Sequence, residues 1–308
     1  MYKAIAVVFP GQGSQSVGML SSIAEVYPQV KEVFEQASNI LGYDLWKLVE
    51  HGPKKQLNTT EYTQPALLAS SIAIWKLLDK NILPKVVSGH TLGEYSALVA
   101  AEVISFEDAV SLVRYRGQFM QKAVPEGQGA VAAILGLSNA EVNRLCEEIS
   151  GDEYVAGVNF NAPGQVVVAG NASAVKKLLV SAKEAGARRA VVLPISVPVH
   201  CKLMHSAAQE LKAKLKDVGF NKPKIGLVQN VSCQLEDDPA RIKQNLIEQL
   251  VNPVDWIKTI KYISASGINL LMECGPGNVL SSLNKRILPD IETVSVGAVE
   301  QLNDFVGH

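Results

Sequence analysis

The chain has 308 residues, of which 47% are hydrophobic and 19% are charged, which excludes a disordered protein and favours a globule with a large core. Its 29 basic and 30 acidic residues leave a net charge of −1, so overall charge gives no reason to expect binding to nucleic acid or to a membrane. No apolar run reaches the roughly 18 residues of a membrane span, and the four widely spaced cysteines form no zinc motif, which favours a cytoplasmic protein with reduced thiols.

Short β-branched runs alternate with longer helical patterns, which is typical of α/β architecture. In the first part of the chain the patterns predict strands at 4–9 and 85–88. They also predict a series of helices, the last of them capped by Ser105, at 29–41, 64–79, 93–103 and 106–123.

The middle of the chain has a different order of elements. Strand, helix, strand, strand, helix and strand follow one another between 130 and 193, which is the β-α-β-β-α-β order of ferredoxin-like folds. We therefore predict a small domain at 128–196, inserted into a large domain formed by 1–127 and 197–308. The rest of the large domain is predicted to contain helices at 203–218 and 239–250, a helix starting at Pro253, strands at 225–230 and 269–273, and a helix ending at 287.

A glycine-rich turn, Gly11-Gln12-Gly13, follows the first predicted strand. A dinucleotide-binding fingerprint needs a third glycine three residues after the second, and position 16 is serine. The segment therefore fits a plain tight turn, in which glycine tolerates positive φ, better than a nucleotide site. A third interpretation places the Gln12 amide at the carboxyl edge of the sheet, pointing toward a ligand.

A second motif, Gly89-His90-Thr91-Leu92-Gly93, lies between a predicted strand and a predicted helix. It differs by one residue type from the G-x-S-x-G nucleophile elbow. The glycines allow strand and helix to approach closely, and the central hydroxyl is presented beside backbone N–H groups that can stabilise an oxyanion. Taken alone, the pentapeptide favours the simpler interpretation of a glycine-flanked turn with a threonine cap.

A hydroxyl nucleophile needs a base, and the chain has five histidines. His308 is the terminal residue and His51 falls in a predicted polar loop, so both are expected in solvent. His90 adjoins the hydroxyl, but neighbouring side chains of a turn point apart. His200 lies at a proline-stiffened junction where the predicted small domain rejoins the large one, which makes it the candidate base.

Arg116 is a candidate ligand for an anionic substrate. It precedes Gly117 in the helix predicted at 106–123, and close packing at the glycine would turn the arginine inward. A buried guanidinium needs an anion, and a carboxylate fits its fork best. A solvated surface charge is the alternative interpretation.

Taken together, a series of segments closely resembles the bacterial malonyl-CoA:acyl carrier protein transacylase family. They come in the family's order and span nearly the whole chain. The segments are Phe9-Pro10-Gly11-Gln12-Gly13-Ser14-Gln15, Thr63-Gln64-Pro65-Ala66, Gly89-His90-Thr91-Leu92-Gly93-Glu94-Tyr95-Ser96-Ala97, Arg116-Gly117, Asn159-Phe160-Asn161, Pro163-Gly164-Gln165, Ser196-Val197-Pro198 with His200, Asn252-Pro253-Val254 with Trp256, and Glu273 with Gly275-Pro276-Gly277.

The resemblance implies an α/β-hydrolase-like core with a parallel sheet and an inserted ferredoxin-like domain. It also implies the reaction of an S-malonyltransferase of fatty-acid biosynthesis. The malonyl group passes from malonyl-CoA to an enzyme hydroxyl, and from there to the phosphopantetheine thiol of acyl carrier protein, without a metal or a cofactor.

Carried over by position, the family's nucleophile falls on Thr91 and its base on His200. The backbone N–H groups of Gln12 and Leu92 would form the oxyanion hole. The backbone carbonyl of Gln249 would orient the histidine, so the pair follows nucleophile-plus-base logic without an acidic third member. The family residue at position 91 is serine, and threonine in its place predicts reduced activity.

The resemblance also implies substrate contacts. Arg116 would pair with the free carboxylate of the malonyl group. Further positions are implied as possible lining of the substrate pocket: Gln64, His90, Asn161, Gln165 and Ser196.

The implied partners are malonyl-CoA and an acidic carrier protein, which would dock transiently on a monomer through a basic rim around the cleft. The rim is expected to be formed by some of the following residues: Lys176, Lys177, Lys183, Arg188, Arg189, Lys285 and Arg286. Two alternatives stay open, namely a thioesterase or other hydrolase on the same elbow and a catalytically silent acyl-CoA-binding protein.

Overall fold

The computed structural model describes residues 4–78, 81–195 and 197–306, and two β-sheets organise this part of the chain. The strands are β1 (Ile5–Phe9), β2 (Val86–Gly89), β3 (Gly129–Leu135), β4 (Val155–Ala162), β5 (Gln165–Asn171), β6 (Arg189–Val192), β7 (Gly226–Val228), β8 (Val254–Asp255), β9 (Leu270–Glu273) and β10 (Glu292–Ser295). The helices are α1 (Ser21–Val26), α2 (Val30–Leu41), α3 (Leu45–His51), α4 (Lys54–Leu57), α5 (Thr60–Leu78), α6 (Gly93–Ala100), α7 (Phe106–Ala123), α8 (Asn139–Ile149), α9 (Ala172–Glu184), α10 (His205–Leu215), α11 (Pro239–Gln249), α12 (Trp256–Ala265), α13 (Val279–Ile287) and α14 (Val299–Asn303), with a 3-10 turn at Lys202–Met204. None of these helices is long and apolar enough to cross a membrane.

The first sheet is wholly parallel, with the strand order β10-β9-β1-β2-β7. Its central strand β1 is an apolar run that is buried almost throughout, as expected for a strand covered by helices on both faces. Alternate side chains of β1 enter two cores: Val7 packs in the cluster under α5 and α7, and Val8 packs in the cluster under α12 and α13. The predicted α/β class with a parallel sheet is confirmed.

The carboxyl ends of β1 and β2 bring the two glycine motifs together. Phe9 pairs with Gly89 in the register of the two strands, so the loops that follow them leave the same edge of the sheet side by side. A Cβ atom on Gly11 would lie 2.4 Å from the carbonyl oxygen of His90, so only glycine fits at this position. This edge is where ligands bind in open α/β sheets.

The second sheet has the order β6-β3-β5-β4-β8. From β3 to β6 the chain follows the predicted β-α-β-β-α-β order, and β3 pairs antiparallel with both β5 and β6. Helices α8 and α9 cover one face, which carries Ile134 and Val168. Strand β8 comes from outside the predicted domain 128–196 and pairs parallel with β4, with Val254 opposite Asn159. The domain bounds themselves stay a prediction.

Two predicted elements are wrong. Pro253 does not begin a helix, because the next two residues pair with β4 and α12 begins only at Trp256, where Asp255 caps it by accepting from the N–H of Lys258 at 2.9 Å. His51 is exposed as expected, but it ends helix α3 instead of lying in a loop. Short elements of two to seven residues were missed, namely α1, α3, α4, β8, β10 and α14.

Candidate active site

Thr91 lies at the tip of the tight turn between β2 and α6. Its φ is 50°, in the left-handed region that a β-branched residue rarely adopts, and the sharp, strained turn of a nucleophile elbow has this character. A Cβ on Gly89 would lie 1.9 Å from the carbonyl carbon of Gly93, and one on Gly93 would lie 2.1 Å from the carbonyl oxygen of Phe9. The turn therefore has the close strand–helix approach that a nucleophile elbow requires.

The peptide groups of Thr91 are held by two side-chain amides. Its N–H donates to Oδ1 of Asn230 at 2.8 Å, and its carbonyl oxygen accepts from Nε2 of Gln249 at 3.0 Å. Its hydroxyl oxygen Oγ1 accepts from the N–H of Leu92 at 2.5 Å. The hydroxyl thus lies beside the N–H group that the sequence predicts as an oxyanion donor.

His200 is buried in the loop before the 3-10 turn, and its φ is also positive, at 65°. Its Nδ1 lies 2.7 Å from the main-chain oxygen of Gln249. Because a carbonyl oxygen only accepts, Nδ1 carries the proton and Nε2 presents a lone pair. Nε2 has no hydrogen-bond partner among the described residues. Burial lowers the pKa of His200 to about 3, although the bond to Gln249 opposes this, so the ring is a neutral base near pH 7.

Arg116 is turned inward from α7, as predicted, and only 2% of it is exposed. Gly117 allows this packing, because a Cβ there would lie 2.8 Å from Cα of Glu61 on α5. The guanidinium donates from NH1 to Oε1 of Gln64 and from NH2 to Oε1 of Gln249, both at 3.0 Å. Its Nε has no partner, and no carboxylate in the described part of the chain forms an ion pair with it. A buried guanidinium without a directly bonded carboxylate is a strong site for an anionic ligand.

Glu94 is the charged group linked to that cation through one amide. It is fully buried, and its Oε2 accepts from Nε2 of the Gln249 side chain at 2.9 Å, while Oε1 of the same amide accepts from Arg116. Sequence reasoning gave no function to Glu94 or to Asn230. A charged residue within the otherwise apolar α6, and an amide just after β7 at the carboxyl edge of the sheet, were the signals that could have found them.

A cavity of about 470 Å³ lies between the carboxyl edge of the first sheet and the open face of the second. Thr91, His200 and Arg116 all line it. The second sheet contributes an apolar wall together with Asn159, Asn161 and Gln165, and Gln12, Gln15 and Asn58 come from loops. Apolar lining residues include Met120, Val131, Ala133, Val158, Val167, Leu193, Ile195 and Val199, and polar ones include Gln12, Gln15, Asn58 and Asn159. An apolar wall with a few polar groups is typical of a small-molecule site.

Of the five residues predicted to line the pocket, three line the cavity, one does not, and one lies outside the described residues. His90, Asn161 and Gln165 line the cavity, and Nε2 of His90 lies 2.8 Å from Oδ1 of Asn161. Burial lowers the pKa of His90 to about 4. Gln64 lies behind the guanidinium that it accepts from, because it is wholly buried within α5, and does not line the cavity. Ser196 lies outside the described residues.

Helix α9 does not bring its lysines to the cavity, so they are not among the candidates that could form the basic rim. Its lysines are Lys176, Lys177 and Lys183. Helix α9 covers the face of the second sheet that carries Val168, whereas the cavity lies against the face that carries Val167. Because successive residues of a strand point to opposite faces, the α9 lysines lie on the far side of the sheet.

Two other cations do lie at the cavity. Lys54 lines it directly. Arg286 donates to the main-chain oxygen of Pro163 at 2.9 Å and to Oε1 of Gln165, which is part of the wall. The remaining candidates of the predicted rim do not line the cavity: Arg188, Arg189 and Lys285.

Comparison with known proteins places this geometry in a family. The model of the acyl transferase domain matches residues 6–299. The malonyl CoA-acyl carrier protein transacylase of Salmonella typhimurium is 50% identical over 298 residues, which cover 96% of each chain. The transacylase of Haemophilus influenzae is 49% identical over 304 residues, which cover 98% of this chain and 97% of the relative.

Solved structures of similar proteins agree over nearly the whole chain. An acyl carrier protein S-malonyltransferase from Vibrio cholerae superposes with a TM-score of 0.95 at 51% identity, covering 98% of this chain and 99% of the other. A malonyl-transacylase in complex with its type II polyketide synthase acyl carrier protein superposes with a TM-score of 0.96 at 46% identity, covering 98% of each chain. The chain therefore belongs to the malonyl CoA-acyl carrier protein transacylase family.

Proposed function

We propose that this protein transfers the malonyl group from malonyl-CoA to the phosphopantetheine thiol of acyl carrier protein, as an enzyme of fatty-acid synthesis. The names of its relatives and the carrier complex of a similar protein support the two substrates. The observation that carries the proposal is the buried guanidinium of Arg116. It has no carboxylate partner in the described structure and lines the same cavity as the hydroxyl of Thr91 and the neutral ring of His200.

The first step is acylation of Thr91. Nε2 of His200 takes the hydroxyl proton as Oγ1 attacks the thioester carbon, so a C–O bond forms and the carbonyl electrons move to its oxygen. The N–H groups of Gln12 and Leu92 donate to this oxyanion. Before the reaction the Leu92 N–H donates to Oγ1. As the thioester carbonyl oxygen gains negative charge, it becomes a stronger acceptor for this N–H group. The C–S bond then breaks, and CoA leaves as a thiol with the proton from His200.

The second step reverses the first with a different thiol. The carrier's phosphopantetheine enters the cavity, His200 takes its thiol proton, and sulfur attacks the Thr91 ester. The C–O bond breaks, and the alkoxide recovers the proton. The main-chain oxygen of Gln249 orients His200 in both steps, so no acidic side chain is needed to hold the ring.

Arg116 selects the donor. The free carboxylate of a malonyl group can replace the missing counter-anion of the guanidinium, whereas an acetyl group cannot. Amides of Gln64 and Gln249 hold the guanidinium from one side, which leaves Nε without a protein partner. The selection is made in the cavity itself, before the carrier protein arrives.

A cytoplasmic location is part of the proposal. The four cysteines are free and buried, and reduced thiols of this kind are typical of proteins from reducing compartments. They are Cys146, Cys201, Cys233 and Cys274.

The test is intact mass spectrometry of the protein mixed with malonyl-CoA, followed by addition of holo-carrier protein. We expect one malonyl adduct, located at Thr91, which disappears when malonyl-carrier forms. Loss of the adduct to free malonate without carrier would favour the hydrolase alternative. No adduct on this protein or on Thr91→Ser would favour the silent acyl-CoA-binding protein.

A further inference from the structure

Glu94 has no part in the chemical steps above, yet its carboxyl group is buried close to them. Oε1 accepts from Nε2 of Gln229 at 2.7 Å, and Oε2 accepts from the N–H of Asn230 at 3.1 Å and from Nε2 of Gln249 at 2.9 Å. All three partners are donors, which suits an ionised carboxylate because it only accepts. Burial raises the pKa of Glu94, and these three bonds and the charge of Arg116 act in the opposite direction.

The two partners of Oε2 are the residues whose side chains hold the elbow. Asn230 accepts from the N–H of Thr91 at 2.8 Å and donates from Nδ2 to the carbonyl oxygen of Gly89 at 2.6 Å. Gln249 donates to the carbonyl oxygen of Thr91 at 3.0 Å. A single carboxylate oxygen therefore accepts from the main chain of Asn230 and from the side-chain amide of Gln249. These are the two residues whose side chains hold the peptide groups before and after the Thr91 Cα atom.

The direction of the Gln249 amide follows from its neighbours. Arg116 has only donors, so Oε1 must face the guanidinium and Nε2 must face the acceptors. Those acceptors are Oε2 of Glu94 and the carbonyl oxygen of Thr91. If the carboxylate were removed, the amide would lose its strongest acceptor.

We propose that Glu94 is a positioning residue for the nucleophile: its Oε2 fixes Asn230 and Gln249 where their side chains keep Thr91 in the left-handed conformation. This inference rests on the proposed function, because it takes Thr91 as the nucleophile. A β-branched residue leaves positive φ unless its surroundings hold it there. Without the anchor, the Thr91 backbone relaxes and its hydroxyl turns away from the thioester.

Two substitutions at position 94 distinguish the effect of losing the acceptor oxygen from the effect of losing the negative charge. Glu94→Met keeps the length of the side chain and removes both acceptors. Glu94→Gln keeps one oxygen in the place of Oε2, and its NH2 group faces Gln229. The Gln229 amide can turn to accept from it, because the adjoining Asn245 has a free Oδ1 and can turn as well. The matched control is Glu273→Met, another fully buried glutamate, which accepts from the N–H groups at the start of α13 and does not contact Thr91.

The measurement is single-turnover acylation by malonyl-CoA, which gives a maximal rate constant and a half-saturating donor concentration. For Glu94→Met we expect the rate constant to fall roughly a hundredfold with the half-saturating concentration within about threefold. The rate constant of Glu94→Gln should be at least about tenfold higher than that of Glu94→Met. Glu273→Met should lower the melting temperature and leave the rate constant within about threefold. A folded Glu94→Met protein with an unchanged rate constant, or an equal loss in Glu273→Met, overturns the proposal.

The inference also has a readout that does not depend on activity. In crystals of Glu94→Met, φ of residue 91 should leave the positive region, and a φ that stays near 50° would overturn the proposal. If Glu94→Met does not fold, Asn230→Ala removes one of the two amides and should lower the same rate constant at least about tenfold; an unchanged rate there overturns the proposal too. Failure of the unsubstituted protein and of Thr91→Ser to be acylated contradicts the proposed function, whereas the crystallographic result judges the role of Glu94 separately.

Discussion

Arg116 and His200 are hydrogen-bonded to opposite ends of the same residue, Gln249. NH2 of Arg116 donates to its side-chain oxygen at 3.0 Å, and Nδ1 of His200 donates to its main-chain oxygen at 2.7 Å. The cation proposed to receive the donor's carboxylate and the proposed base are thus positioned by one amino acid at the end of α11. A substitution that moves Gln249 is expected to change donor selection and acylation together.

The first prediction is that Arg116→Ala reverses donor preference. The loss of a buried, charge-assisted contact costs about 2–5 kcal/mol, so malonyl transfer should fall at least about thirtyfold. Acetyl transfer should be spared or should rise relative to malonyl transfer. The measurement is kcat/KM with malonyl-CoA and acetyl-CoA. Arg114→Ala is the matched control, because that arginine lies two residues away and is about one-third exposed, and it should leave the ratio unchanged. Equal losses with both donors in Arg116→Ala would mean that the residue is only structural.

The second prediction concerns pH. The pKa of His200 is lowered to about 3 by burial, so the ring stays neutral, and able to accept a proton, far below the usual range near 6.5. The rate constant of single-turnover acylation should therefore be nearly flat between pH 8 and pH 5. An exposed histidine would lose about nine-tenths of its base form one unit below its pKa. An inflection between pH 6 and 7 in the acylation rate would contradict the burial argument.

The sequence could predict what is local about the site. Glycine spacing sets the elbow and the positive φ of Thr91, and Gly117 explains the inward turn of Arg116. The contacts that hold the elbow could not be predicted, because Asn230 and Glu94 are 136 positions apart in the sequence. They come together through the packing of β7 beside β2. The face of the second sheet that α9 covers could not be predicted for a similar reason. The residue pattern shows which side chains share a face of the second sheet, but it does not show which of the two faces lies toward the first sheet.

The third prediction concerns the carrier protein. The family resemblance implies an acidic carrier protein, and the exposed cations at the cavity are Lys54 and Arg286, not the lysines of α9. Electrostatic steering is screened within about 8 Å at physiological salt. Added salt should therefore slow transfer to the carrier more than it slows acylation by malonyl-CoA. Arg286→Ala should weaken this salt dependence in the transfer step, whereas Lys183→Ala, on the far face of the second sheet, should not. An equal salt dependence of the two half-reactions would remove the support for steering.

The last prediction is that Thr91→Ser accelerates acylation. The left-handed conformation costs a β-branched residue roughly 1–3 kcal/mol, and serine has no branch at Cβ. The hydroxyl is also held close to the backbone, because Oγ1 lies 2.5 Å from the N–H nitrogen of Leu92. The extra methyl group of threonine limits how the hydroxyl can turn between Nε2 of His200 and the thioester. If a few kcal/mol of this cost enter the barrier, the rate with serine should rise roughly ten- to a hundredfold. The measurement compares single-turnover acylation of the two proteins at saturating malonyl-CoA. A serine form that is no faster would mean that the methyl group is accommodated and that the strain does not reach the transition state.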